Sequence, residues 1–262
     1  MGLEFGDHPD VVFGDAPLKT VLSQIRFSPI LALMTSAGVA GFQAALRDDY
    51  PLFLDPVRSA NVQVSSTSIG LEAPPPVWRL GDAERHWTVG LAVDFVSLET
   101  NQYTDIGEFL DRFGIVLAAL RTTLRPSDSV RVGLRKVNFF KSPVSEQTTS
   151  LAGIIRPELL GPLAVPAFPA PIAGNASQLE FSDEENMLVV RYGLGSDDDQ
   201  VGFVLDMDYS TERPYQVDGN EDIIGLLRYY SQGMTSFFHW AVEANHKATL
   251  KPRERAGSGS DS

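Results

Sequence analysis

"VGLAVDFVS" occupies residues 89–97, and "VGFVLDMDYS" occupies residues 201–210. Both read Val-Gly, three apolar residues, Asp, then another apolar residue, and they begin 112 residues apart. A strand written twice at one offset marks a candidate duplication, and self-similarity is weighed before any motif. Two further places agree. "LSQIRF" from Leu22 matches "LRKVNF" from Leu134 as L-x-x-[I/V]-x-F, again 112 residues apart. The helix starts Asp105-Ile106 and Asp222-Ile223 lie 117 apart, a gap that one loop insertion accounts for.

Working outward, each half runs through the same order of elements. In the first, residues 18–31 read as a strand rich in β-branched residues and stopped by Pro29. Val39, Phe42, Ala45 and Leu46 fall at helical spacing before Pro51. Short strands are predicted over 61–68 and 77–80, and a longer one over 87–98. Asp105 then opens an amphipathic helix whose apolar face is Ile106, Phe109, Leu110, Phe113, Leu117 and Leu120, closed by Pro126. In the second half, a strand over 129–140 precedes a short helix, broken by Pro157, over 150–161. A Pro/Ala-rich link follows, then strands over 177–182, 186–194 and 200–209, and a long helix from about 220 toward 246.

The predicted fold is therefore α+β: tandem duplicated β-α-β-β-β-α units, related by a pseudo-two-fold, forming an antiparallel sheet with helices packed on one face. Residues 1–15 read as an N-terminal extension, 16–126 and 127–246 as the repeats, and 247–262 as a flexible Gly/Ser-containing tail. The architecture resembles the duplicated saddle of TATA-binding protein, which says nothing by itself about function.

Strand residues alternate between faces, so the same reading sorts the side chains. Ile25 and Phe27, Val137 and Phe139, and Leu205 and Met207 are assigned to the helix side. The helix-free face is expected to carry Arg26, Asp94, Lys136, Asn138, Asp206 and Asp208, a mixed-charge array that forms the candidate ligand- or partner-binding surface. Gly90 and Gly202 would let another group approach the sheet closely.

Composition limits the chemistry. The 262 residues carry a formal net charge of −13, which opposes generic nucleic-acid binding. No cysteine is present, so disulfides, thiolate metal sites and cysteine nucleophiles are excluded, as expected in a reducing compartment. No signal peptide or membrane-length apolar run is read, which predicts a cytoplasmic protein. The phosphate-loop, nucleophile-elbow and zincin motifs are absent from the sequence. The acidic runs at 183–185 and 197–199 lack the spacing of a calcium loop and read as hairpin tips. His239, Glu243 and His246 share one face of the last predicted helix, but a metal site needs more ligands and a supporting shell, so no metal and no cofactor is expected. No catalytic residue is nominated.

The segment "APLKTVLSQIRFSPIL", the helix ending "DDYP", Trp78 to Leu80 and "GLRKVNFF" at 133–140 together resemble a sporadically distributed family of uncharacterised bacterial proteins with an A-P-L-x-x-V strand and an "IRF" motif. The resemblance spans most of residues 13–246 and implies a mobile or defence-type locus, with no site residues to carry over. Two readings follow. One is a non-enzymatic, antitoxin-like or accessory protein that binds another protein, one of basic character fitting the acidic charge. The alternative is a small-ligand or nucleotide-binding domain, with or without catalysis, that uses the charged sheet face as its pocket.

Overall fold

The computed structural model describes residues 3–9, 11–57, 75–141, 151–164, 172–197, 200–217 and 220–254. The expected strand over 61–68 and the tip residues 198 and 199 lie outside the described residues. The chain is mixed α and β, with a large antiparallel sheet and five helices among the described residues. It divides into two compact units, each assembled from separate stretches. One comprises Leu22–Gly133 and Thr211–Leu227; the other comprises Met1–Val21, Leu134–Ser210 and Arg228–Ser262. These units do not follow the boundary expected at 126/127, because the strands that contain Val21 and Gly133 are themselves divided between them.

In the unit built on Leu22–Gly133 the strand order is β3 (Leu52–Val57), β4 (Val77–Gly81), β5 (Trp87–Leu91), β6 (Phe95–Thr100), β2 (Leu18–Phe27) and β7 (Asp128–Lys141), and the short β11 (Tyr215–Gln216) pairs antiparallel with the start of β7. Helices α1 (Ser36–Leu46) and α2 (Ile106–Thr123) belong to this unit. Asp105 caps α2 as expected, its Oδ1 accepting the Glu108 N–H at 3.0 Å. Ile106, Phe109, Leu110, Phe113, Leu117 and Leu120 are buried, which is the predicted apolar stripe. Phe109 meets the ring of Trp87 on β5, so α2 covers the sheet face that holds Val89, Leu98, Ile25 and Phe27.

In the other unit the order is β2, β7, β10 (Gln200–Thr211), β9 (Asn186–Asp197) and β8 (Ala176–Asp183). α4 (Asn220–Ala241) lies across it: Phe238 stacks on Phe140 of β7, Tyr230 on Tyr209 of β10, and Phe237 packs on Phe181 of β8. α3 is the short turn Pro157–Leu160 expected around Pro157. The long predicted helix breaks at Val242, which bridges Ile155, while the Glu243 N–H bonds the Ile154 carbonyl; α5 (Ala244–Thr249) resumes beyond.

Three expectations are corrected here. First, residues 87–98 are not one strand. Val93 and Asp94 form the turn between β5 and β6, closed by the Ala92 N–H to the Phe95 carbonyl at 2.9 Å. Neither residue gives the Gly or Asn signal of the favoured hairpin turns, so the alternation ran on through them. Asp94 therefore ends a hairpin, whereas Asp206 sits within β10, and the two "VG…D" segments are not equivalent. Second, β7 presents the opposite parity. Val132, Leu134, Lys136, Asn138 and Phe140 are buried in alternation with the exposed Arg135 and half-exposed Arg131 and Val137. Lys136 and Asn138 thus leave the helix-free face, and Val137 and Phe139 turn onto it. Third, residues 247–254, expected in a flexible tail, complete α5 and form β12 (Pro252–Glu254), which pairs antiparallel with β1 (Val11–Phe13).

Candidate functional site

The outward residues of β7, β10, β9 and β8 build a polar row. Asp206 on β10 is its centre. Its side chain is only 9% exposed, and Arg135 on β7 donates to it twice, Nε to Oδ1 at 2.7 Å and Nη2 to Oδ2 at 2.8 Å. Arg191 on β9 brings Nη1 to 4.0 Å from the same Oδ2, too far for a hydrogen bond. Gln178 on β8 stands opposite Arg191 in the ladder and donates to Glu180 Oε1 at 2.7 Å. Bidentate pairing fixes geometry well, but Arg135 is half-exposed, so this pair stabilises the fold by no more than about 1 kcal/mol.

Beside this row is an open concavity of about 430 Å³. Arg191, Asp206 and Gln178 supply its polar edge, and Val204, Leu194 and Tyr192 its apolar part. Asn175 also lines it, and the Asn175 Oδ1 is buried without a hydrogen-bond partner. Gly193 shapes one wall: with φ at +151°, a Cβ there would stand 2.0 Å from the Asn175 carbonyl oxygen. Among the described residues that line the concavity there is no histidine or lysine, and the one carboxylate is engaged by Arg135.

The other expected surface residues disperse. Arg26 and Asp94 pair with each other in the unit built on Leu22–Gly133. Asp208 follows Asp206 on the outward side of β10 and is half-exposed. Lys136 points to α4, its Nζ donating to Ser231 Oγ at 2.8 Å, and Asn138 Nδ2 reaches the Leu205 carbonyl at 3.3 Å. Gly202 makes room for this chain's own Phe139 ring, not for a ligand: an added Cβ would meet Phe139 Cζ at 2.6 Å and the Phe140 carbonyl at 2.4 Å. Arg135 and Arg191 were missed as site residues. Arg135 was legible once the parity of β7 is inverted; Arg191 was legible as the outward member of "VVRYG".

On the helix side of the same strands, Asp183 accepts hydrogen bonds from the hydroxyls of Tyr209 and Tyr229, and Tyr230 donates to Asn186 Oδ1 at 2.7 Å. Burial raises the Tyr209 and Tyr229 phenols above their ordinary range, and hydrogen bonding to Asp183 adds to it. Both phenols stay protonated at neutral pH, so the cluster pins α4 to the β8–β9 hairpin.

The trio His239, Glu243 and His246 does not converge. His239 stacks on His8, Glu243 sits in the joint before α5, and the His246 ring lies 6.0 Å from Phe140. Among the described residues the one metal-like trio is Asp82, Glu84 and His86. There Asp82 Oδ1 accepts the His86 and Trp87 backbone N–H groups at 2.8 and 2.9 Å, which makes it the clamp of a hairpin turn. Purified protein is expected to carry substoichiometric zinc and iron, unchanged in a His239→Ala, His246→Ala double variant. Elemental analysis checks this; one zinc per chain, lost in the double variant, would contradict it.

No family model matches this chain, and no curated protein matches it at a significant level.

Proposed function

We propose that the chain is a non-enzymatic interaction protein that seats a partner on the outward face of β7, β10, β9 and β8. The observation that carries this reading is the Arg135–Asp206–Arg191 row beside an open concavity whose carboxylate, Asp206, is already engaged. Such a row offers register to a partner surface, while the net charge of −13 favours association with a partner of basic character. Its resemblance to a sporadically distributed bacterial family supports an antitoxin-like or accessory role in a mobile or defence-type locus, acting in the cytoplasm. No helix among the described residues is long and apolar enough to cross a membrane.

The test is a photo-crosslinking residue at Gln178 in tagged full-length chain expressed in its native host. One specific adduct is expected, weakened at least about tenfold by Arg191→Glu, since the carboxylate has no N–H to donate to the partner and sets a second negative charge beside Asp206. Arg26→Glu, in the other unit, should leave it unchanged. An adduct indifferent to Arg191→Glu, or none at all, sinks the proposal.

A small-ligand reading is favoured by one specific feature, the unpartnered Asn175 Oδ1 in a concavity of ligand size. A small molecule retained by wild type in native mass spectrometry and lost in Arg191→Glu would favour it over a protein partner.

We also infer an internal duplication, with equivalences different from those first read. β10 neighbours β7 as β6 neighbours β2, so β6 and not the "VGLAVD" strand corresponds to β10. The helices keep the 117-residue offset: Ile106 and Ile223, Leu110 and Leu227, Phe113 and Tyr230, Leu117 and Met234, and Leu120 and Phe237 are all buried.

A further inference from the structure

The first described segment of the chain is held by α4 along its length. The Phe5 N–H donates to Ser236 Oγ at 2.8 Å, and the Phe5 ring packs edge-on against Phe181 and Phe237, each at 5.0 Å. His8 lies flat on His239, with ring centroids 4.7 Å apart and planes 9° from parallel. Phe13 meets Phe238 and His239 at 5.7 and 5.4 Å. Beyond it the β1–β12 ladder, the Gly14 and Asp15 N–H bonds to Lys251 and Leu250, and the Asp15–Lys251 ion pair complete the attachment.

One contact in this run cannot tolerate a proton. His239 is 6% exposed, and neither of its ring nitrogens has a hydrogen-bond partner. A charge on that ring would be desolvated and unpaired. The charged and titratable groups acting on it are His8 from the strap and Lys247 from α5, whose Nζ donates to the His239 carbonyl at 2.5 Å. Both oppose a further positive charge. Glu243, the carboxylate of the α4–α5 joint, bears on Lys247, as does Arg156. His246 of α5 is itself held below its usual range by burial.

We propose that residues 3–9 and 11–15 form an acid-released strap: a proton on His239, the buried ring on which His8 stacks, expels these residues from α4 and uncovers an aromatic groove formed by Phe181, Phe237 and Phe238. The sign follows from linkage. Burial, then His8 and Lys247, hold the closed His239 ring down from the ordinary 6.5 to about 4, and release of the strap removes His8 and part of the burial, so the ring moves back toward 6.5. The open form therefore binds more protons between these values. The closed form has its full stability above pH 6.5 and loses it progressively as pH falls toward 4. Opening the strap makes this loss local, because the Tyr209–Asp183–Tyr229 cluster and the β8–β9–β10 ladder do not involve the segment. This proposal is independent of the sheet-face reading.

Hydrogen exchange on the full chain, corrected for intrinsic rates, tests it at pH 7.5 and 5.0. Opening measured over 3–15 and 250–254 is expected to rise about 30-fold at the lower pH, one proton's linkage across that window. Amides of β9 and β10 should keep their protection, and His239→Phe should abolish the rise while retaining a flat ring against His8. Unchanged protection over 3–15 in wild type, an equal rise in His239→Phe, or simultaneous loss in β9 and β10 each overturns the proposal. NMR titration of wild type gives a readout free of substitutions. A His239 ring that titrates in the ordinary histidine range while the Val12 and Phe13 amides stay protected also overturns it.

Discussion

Phe237→Ala is expected to lower the thermal midpoint by about 10 °C, the largest stability effect of any single substitution considered. Phe237 is fully buried and touches the rings of Phe5, Phe181 and Trp240 at 5.0, 5.7 and 5.4 Å. It is thus, with Phe238, a side chain through which α4 holds both the sheet and the strap. Truncating a buried aromatic removes its transfer free energy and leaves a cavity, together about 3–5 kcal/mol. In a chain of this size each kcal/mol moves the midpoint by about 2–4 °C. Leu31→Ala serves as the control: Leu31 is 75% exposed, so its loss should stay within about 0.5 kcal/mol. Calorimetry decides, and a Phe237→Ala midpoint no different from that of Leu31→Ala would mean that α4 is not seated as described.

Gly193→Ala is expected to abolish partner binding at the sheet face and to destabilise the β8–β9 end of the sheet. The position is in the left-handed region, φ +151°, where a side chain adds about 1–3 kcal/mol of strain. The clash is worse than the strain, because the new Cβ would sit 2.0 Å from a backbone oxygen, that of Asn175. That same oxygen accepts the Leu194 N–H at 2.9 Å, so moving it breaks the bond that closes the concavity's wall. Gly225→Ala in α4, where an added Cβ meets nothing, should instead stabilise by roughly 0.5–1 kcal/mol. Crosslink yield from Gln178 is read beside the melting curves at a temperature where both variants are folded: Gly193→Ala should lose the adduct there, and Gly225→Ala should raise the midpoint with its yield unchanged. Full crosslinking by Gly193→Ala would remove the concavity from the proposed function.

Much of the architecture was legible because its determinants are local. Asp105 could be assigned as a cap because the N2 and N3 amides of any helix need an acceptor, and Ile106 to Leu120 could be assigned to one face because 3.6-residue spacing leaves no other choice. β2 and β10 were sorted correctly since their two parities differ in polarity. β7 was not: in "RVGLRKVNFF" both parities contain apolar side chains, and only packing selects one. The choice that buries Leu134 and puts Phe140 under α4 drags Lys136 in as well, where its ammonium donates to Ser231. The candidate site shifted with it, from Lys136 to Arg135. The strap escaped notice for a different reason. Phe5, His8 and Phe13 sit in a segment without periodicity, and their partners on α4 are more than two hundred residues away in sequence.

The sequence by itself determined the two amphipathic helices with their buried faces, most of the central strands, the absence of thiol chemistry and the net acidity, since composition and spacing act through the chain's own backbone. Tertiary structure decided the turn at Val93-Asp94, the parity of β7, the Arg135–Asp206–Arg191 row and the burial of His239. Each of these depends on which distant surface a side chain meets. In a strand with apolar residues at both parities, one step of register exchanges the two faces, and the free energy that selects between them comes from the helix packed above.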